Sequence, residues 1–226
     1  MAWRSSGRTN AELLANMSAH SILKTERARS AMARVDRANY VKELSTAYED
    51  SPQRIGHGAT ISAPHMHAYA TENLLPYLKP GAKVLDVGSG SGYLLAIFHH
   101  LVGESGKVVG VEHVPELVDW SIENLRKDGL GKALDAKQIE VLASDGRDGL
   151  PDKGPYDAIH VGAAAPNIPS ALLDQLASPG RMFIPVGVYI QEIQQVDKDE
   201  DGKVTERPIM SVSYVPLTDR TKQGDW

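Results

Sequence analysis

The chain has 226 residues, no cysteine and a formal net charge of −5. That length suits one sizeable core with decorations. The missing cysteine excludes a disulfide framework and a thiol nucleophile, and the acidic balance leaves no global basic footprint for nucleic acid. No apolar run is long enough to span a membrane, and Met1-Ala2-Trp3-Arg4-Ser5-Ser6 has no signal-peptide core.

In chain order, Asn10 is placed to cap a helix with Leu13, Leu14 and Met17 on one face. Thr25 opens a second helix, with Ala28, Ala31, Met32 and Val35 inward. Asp50-Ser51-Pro52 breaks the chain. Gly58 to His67 is too polar for a core strand and too long for a simple turn, so it reads as an active-site loop. Within it Pro64 disfavours helical geometry at Ala63, just after Ser62. Ala68 to Leu78 reads as a helix ended by Lys79-Pro80-Gly81.

An αβ core follows. Val84, Leu85 and Val87 suit a strand covered on both faces. Further strands are expected at 107–112, 139–143, 156–161 and 180–186, with helices at 115–126 and 171–176. This alternation predicts a doubly wound, mostly parallel α/β sheet with right-handed crossovers. Residues 190–196 and 210–215 alternate apolar and polar, a hairpin-like antiparallel pair added to the sheet. The charged run 197–203 between them reads as a solvated turn, and the polar tail 216–223 is placed to fold back over the site. One domain over 1–226 is expected: a helical extension with the active-site loop (1–80), a cofactor-binding core (81–190), and C-terminal strands with a closing tail (191–226).

The chemistry should sit beyond the carboxyl ends of the strands. Asp86-Val87-Gly88-Ser89-Gly90-Ser91-Gly92 follows the first core strand. Its alternate glycines permit a sharp turn and close approach to a ligand, and the next helix points its first amides there. A dinucleotide fingerprint would need glycine at position 93, where Tyr93 stands. The D-x-G-x-G-x-G form resembles instead the first motif of class I methyltransferases, which bind S-adenosylmethionine (SAM). Asp86 is then placed to address the methionine ammonium. Glu112 ends the second core strand, where a carboxylate can accept both ribose hydroxyls; an acidic first helical turn before Pro115 is the plainer reading. Asp145-Gly146 ends the third, beside the expected adenine, or is a simple turn. His65 and His67 have no third metal ligand nearby, so no metal is expected. His160 lies inside a strand and reads as packed. An NAD-dependent oxidoreductase, a non-enzymatic peptide-binding module and a methyltransferase for small molecules or nucleic acid remain open on these residues alone.

Four segments together resemble the protein-L-isoaspartate O-methyltransferases, the eukaryotic form most closely: 59–66, 85–92, 156–164 and 215–218. The likeness covers almost the whole chain. It implies SAM-dependent methyl esterification of the free α-carboxylate of L-isoaspartyl residues, and less well D-aspartyl residues, in damaged proteins and peptides. Repair follows through a succinimide, and S-adenosylhomocysteine (SAH) is the other product. The resemblance implies that Ala59, Thr60, Ile61, Ser62 and His67 line the reaction site. It places Gly88, Ser89, Gly90, Ser91, Gly92, Glu112, Asp145 and Gly146 around SAM, with Asp86, and gives Thr218 and Gln223 to the closing tail. Many relatives have Asp where this chain has Glu112. A cytosolic monomer without nucleic-acid or membrane partners is expected.

Overall fold

The computed structural model describes residues 5–219. The first helix, α1 (Asn10–Ala19), is capped by Thr9 and not by Asn10: the Thr9 hydroxyl accepts the Glu12 amide at 3.2 Å. Asn10 already lies inside the first turn, and its side-chain amide donates to the Val35 carbonyl. α2 (Glu26–Ala33) buries Ala28, Ala31 and Met32 as expected. Its cap position is Thr25, whose amide and hydroxyl both donate to Glu72.

The expected loop is more ordered than its composition suggests. β1 (Gln53–Gly56) and β2 (Ala59–Ile61) form an antiparallel pair, and α3 (Pro64–Leu74) begins at the proline. Ala63 is extended, with ψ 145°, as a residue before proline should be. Pro64 occupies the first helical position, where its missing N–H costs nothing. The helix therefore starts four residues earlier than the expected Ala68.

The remaining elements are β3 (Lys83–Val87), α4 (Tyr93–Val102), β4 (Lys107–Glu112), α5 (Pro115–Lys127), α6 (Gly131–Asp135), β5 (Ile139–Ala143), β6 (Tyr156–Val161), α7 (Ser170–Gln175), β7 (Leu176–Val186), β8 (Gln191–Lys198) and β9 (Val204–Val212). They build one seven-stranded sheet in the order β5-β4-β3-β6-β7-β8-β9. β3 to β7 are parallel; β8 and β9 join antiparallel. The strand order reverses between β3 and β6. Apolar side chains form a core on each face of the sheet, which is why the central strands carry near-continuous apolar runs. β8 extends through Lys198 and β9 starts at Val204, so the charged turn is shorter than expected and confined to 199–203.

Candidate functional site

The carboxyl ends of β3, β4, β5 and β6 open on a cleft of about 820 Å³. Its floor is Gly88 and Gly90 after β3, Glu112 at the end of β4, Asp145 and Gly146 after β5, and Gly162 and Ala163 after β6. Ala59 and Thr60 of β2 close one side, and Val215 to Thr218 close another. The closing strand is held by the sheet: the Ala164 amide donates to Val215, and the Leu217 amide donates back to Ala164, both at 2.8 Å. Gln223 lies outside the described residues.

The glycine turn is anchored from β4. The amides of Gly88 and Ser89 donate to the Val111 carbonyl, and the Gly90 amide donates to Glu112 Oε2 at 3.1 Å. Gly88 has φ 73°, a conformation that strains other residues. Gly92, φ 84°, opens α4; a Cβ there would lie 3.3 Å from Ser121, so its smallness also seats α4 against α5. Glu112 Oε1 accepts the Val114 amide at 3.1 Å, so one carboxylate fastens the glycine turn and the entry to α5. Burial pushes the Glu112 carboxyl up, and the Val114 amide, the His113 charge and the Gly90 and His113 amides pull against it.

Asp145 lines the cleft, but both its oxygens accept from Arg147, which holds the carboxyl below its usual range. Arg147 also reaches Asp219, so it clasps the chain just after Thr218 to the end of β5.

A smaller cavity adjoins the cleft, lined by Thr60, Ile61, Ser62, His67, Asp86, Ser89, Ser91 and His160 among others. The β3–β6 register sets Asp86 beside His160, and His160 Nδ1 lies 2.6 Å from Asp86 Oδ1. His160 is packed, as expected, stacked on Phe183 at 6.0 Å, yet its imidazole also holds the site carboxylate. Ser89 lines this cavity, but its hydroxyl is buried beside Gly110, without a hydrogen-bond partner among the described residues.

Arg37 stands behind His67, fully buried. Its Nη2 donates to the Ser62 carbonyl at 2.8 Å and its Nη1 to His67 Nδ1 at 3.3 Å. A guanidinium cannot accept, so Nδ1 of His67 is the acceptor and its proton sits on Nε2. Burial lowers Arg37 to about 10, which leaves it cationic at neutral pH. Burial, and then the Arg37 charge, push His67 well below 6.5. His67 is therefore a neutral donor. In the unfolded chain it gains a proton below about 6.5, and the folded chain resists it. The contribution of His67 is complete above that pH and falls by about 1.4 kcal/mol per unit below it, until its folded pKa is reached. Urea unfolding between pH 7 and 5 should show this slope, and His67→Gln should remove about one proton's worth of it. An identical slope in the variant contradicts the assignment.

An outer, open cleft is lined by Pro52, Thr60, Ser62, Ala63, His65, Met66 and residues 211–216. Tyr214 faces the Ser62 side chain there, its hydroxyl pushed up to about 12 by burial. Gln191 brackets Tyr214, accepting from its amide and donating to its carbonyl. Thr60 borders all three spaces, and Ser62 borders the inner cavity and the outer cleft. His65 and His67 diverge, His65 to Asp50 and His67 to Arg37. Among the described residues no group of three or more His, Asp or Glu could hold a metal ion, and no helix is long and apolar enough to cross a membrane.

Sequence reasoning did not assign site roles to Arg37, Arg147 or Tyr214. Arg37 had no local signal, because its partners are 25 and 30 residues away.

A parallel sheet with a glycine turn after β3, an acid ending β4 and a reversal of strand order beside them is the architecture of a class I SAM-dependent methyltransferase. Residues 8–222 match the family model described as protein-L-isoaspartate(D-aspartate) O-methyltransferase. The chain belongs to that family. It is 50% identical to a Triticum aestivum protein-L-isoaspartate O-methyltransferase over 214 residues, 95% of this chain and 93% of that protein. It is 48% identical to the Caenorhabditis elegans protein of that name over 225 residues, 99% and 98% of the two chains. A Plasmodium falciparum structure assigned to the same activity, in complex with S-adenosyl-L-homocysteine, superposes with a TM-score of 0.87 at 33% identity, covering 94% of this chain and 99% of that one. The family match sets aside the oxidoreductase reading that the glycine spacing left open.

Proposed function

We propose that the chain moves the methyl of SAM to the free α-carboxylate of L-isoaspartyl residues, with the glycine-lined cleft as cofactor site and the outer cleft as acceptor site. The observation that carries the division is the position of Thr60, which lines both clefts, with Ser62 between the inner cavity and the outer cleft. The residues suit SAM. Glu112 lines the cleft at the end of β4, where a carboxylate suits ribose hydroxyls. Asp86 borders the inner cavity, where its carboxylate matches an ammonium. Gly146 brings the backbone to the adenine position, while Arg147 occupies the Asp145 oxygens, so we assign Asp145 to fastening the tail as well as to walling the adenine.

Bound SAM supplies a sulfonium methyl, already electrophilic. The acceptor carboxylate, with a reference pKa near ~3.5, is ionised at neutral pH, so the protein needs no general base. What the chain must supply is alignment and exclusion of water. Attack cancels charge, so neutral donors suit the transition state better than a cation that pins the carboxylate. Thr60, Ser62 and the neutral His67 are such donors, and the Arg37 cation is kept one layer back, on the Ser62 carbonyl. Ala59 and Ile61 form the remaining wall of β2. We take the chain as one catalytic unit over 1–226, acting as a cytosolic monomer on proteins and peptides.

The test is chemical. Label from [methyl-³H]SAM should appear in an isoaspartyl peptide as a base-labile ester that releases methanol. Base-stable label would place the methyl on nitrogen or carbon and contradict the reading.

A further inference from the structure

One buried carboxylate has no part in the site so far. Asp50 is 2% exposed. Its Oδ1 accepts from His65 twice, from the backbone amide at 3.0 Å and from ring Nδ1 at 2.7 Å. Its Oδ2 is buried without a hydrogen-bond partner among the described residues. Burying a carboxylate is costly unless it is paired, and here its side-chain hydrogen-bond partner is an imidazole, with the Arg37 charge acting on it as well. That ring is also held edge-on to Tyr69, with centroids 6.2 Å apart.

The imidazole is not itself enclosed. Its side chain is 20% exposed, and it lines the outer cleft with Thr60 and Ser62. Nδ1 is turned inward to Asp50, and no described residue hydrogen-bonds Nε2. An ionised carboxylate only accepts, so the hydrogen-bond network assigns the ring proton to Nδ1. In the neutral ring Nε2 is then an acceptor, fixed in direction and open to the cleft. The carboxylate to be methylated offers only acceptors and cannot satisfy it. A peptide backbone N–H can.

We propose that His65, aimed by Asp50, reads the backbone of the acceptor: Nε2 accepts a hydrogen bond from an amide next to the isoaspartyl carboxylate. The proposal rests on the reading of the outer cleft as the acceptor site, and it names what that site recognises there. A backbone amide is present whatever the flanking side chains, so the contact adds affinity without sequence preference. Asp50 is the positioning residue and His65 the binding residue; neither takes part in methyl transfer.

The test is steady-state kinetics with one isoaspartyl peptide and two N-methylated forms, one at the isoaspartyl amide and one at the amide that follows. His65→Ala should raise KM for the plain peptide about tenfold, the equivalent of ~1.4 kcal/mol or one hydrogen bond, with kcat within about twofold. Its affinity for SAH should not change. One of the two N-methylations should reproduce the rise in the wild-type enzyme and add nothing further in His65→Ala. His65→Gln, with a carbonyl that reaches about as far as Nε2, should recover most of the loss and carries the test where His65→Ala folds poorly. An unchanged KM in His65→Ala, or two N-methylations that act as strongly in the variant as in wild type, overturns the proposal. Wild-type enzyme that transfers no methyl to the plain peptide would instead overturn the acceptor-site reading beneath it.

Discussion

Glu112→Ala is expected to weaken SAM binding by at least a hundredfold. The carboxylate does two jobs. It accepts the amides of Gly90 and Val114, which fixes the glycine turn against the start of α5. It also lines the cleft, where two ribose hydroxyls would each add a bond to a charged acceptor, roughly 1.5–3 kcal/mol apiece. Removing it loses both ribose bonds and releases the turn that shapes the floor. Glu112→Gln keeps one acceptor oxygen and should fall between. Calorimetric titration with SAH reads both variants. Affinity within threefold of wild type in Glu112→Ala would remove the ribose assignment and leave Glu112 as a structural clasp.

Ser62→Ala is expected to lower kcat/KM for an isoaspartyl peptide by roughly ten- to a hundredfold, the kinetic equivalent of one hydrogen bond to a charged group. The structure sharpens this expectation. The Ser62 backbone is held by Arg37 through its carbonyl, and extended Ala63 leads straight into Pro64 and α3. Loss of the hydroxyl should therefore leave the backbone in place and SAH affinity within about twofold. Ser62 borders the inner cavity and the outer cleft, not the main glycine-lined cleft, which fits a residue that orients the acceptor. Full activity in Ser62→Ala would move the role to Thr60, which borders all three spaces. Loss of SAH binding would make Ser62 a cofactor residue.

The legible and illegible parts of this chain divide on a physical line. β4, β5 and β6 were bounded to the residue, and α5 to within one. β4 and β6 are inner parallel strands buried on both faces, so they read as short apolar runs between polar or glycine stops, while β5 at the sheet edge shows through the buried Ile139 and Val141. Glu112, Asp145 and the glycine turn were legible for the same reason, since they end those runs. β1 and β2 were missed because they hold four and three residues about a Gly56-His57-Gly58 turn, too few for any period to show. The start of β9 was hidden because Val204 to Pro208 is an exposed edge stretch that includes a proline, with no buried face to impose alternation. β7 begins at Leu176, before Ser178-Pro179-Gly180; the ladder is irregular there, and the local sequence reads as a turn.

The site divides the same way. Residues at strand ends were named from the chain alone. Arg37, Tyr214 and the pairing of His160 with Asp86 arise only when distant segments meet, through the β3–β6 register and the return of residues 213–218 across the sheet. Ser62 was named from its loop and from family resemblance, and it lines the inner cavity and the outer cleft; the buried cation on its carbonyl was not named. That cation holds the Ser62 backbone through its carbonyl and leaves the hydroxyl neutral.

The most direct measurement is methyl transfer from labelled SAM to two peptides identical except for one residue, L-isoaspartyl in the first and L-aspartyl in the second. The free α-carboxylate exists only in the first at that position, and it is the group that the proposed acceptor site would take. Transfer to the isoaspartyl peptide with none above background to its aspartyl twin is the predicted result. Equal transfer to both, or transfer to neither while SAH still binds, would contradict the account.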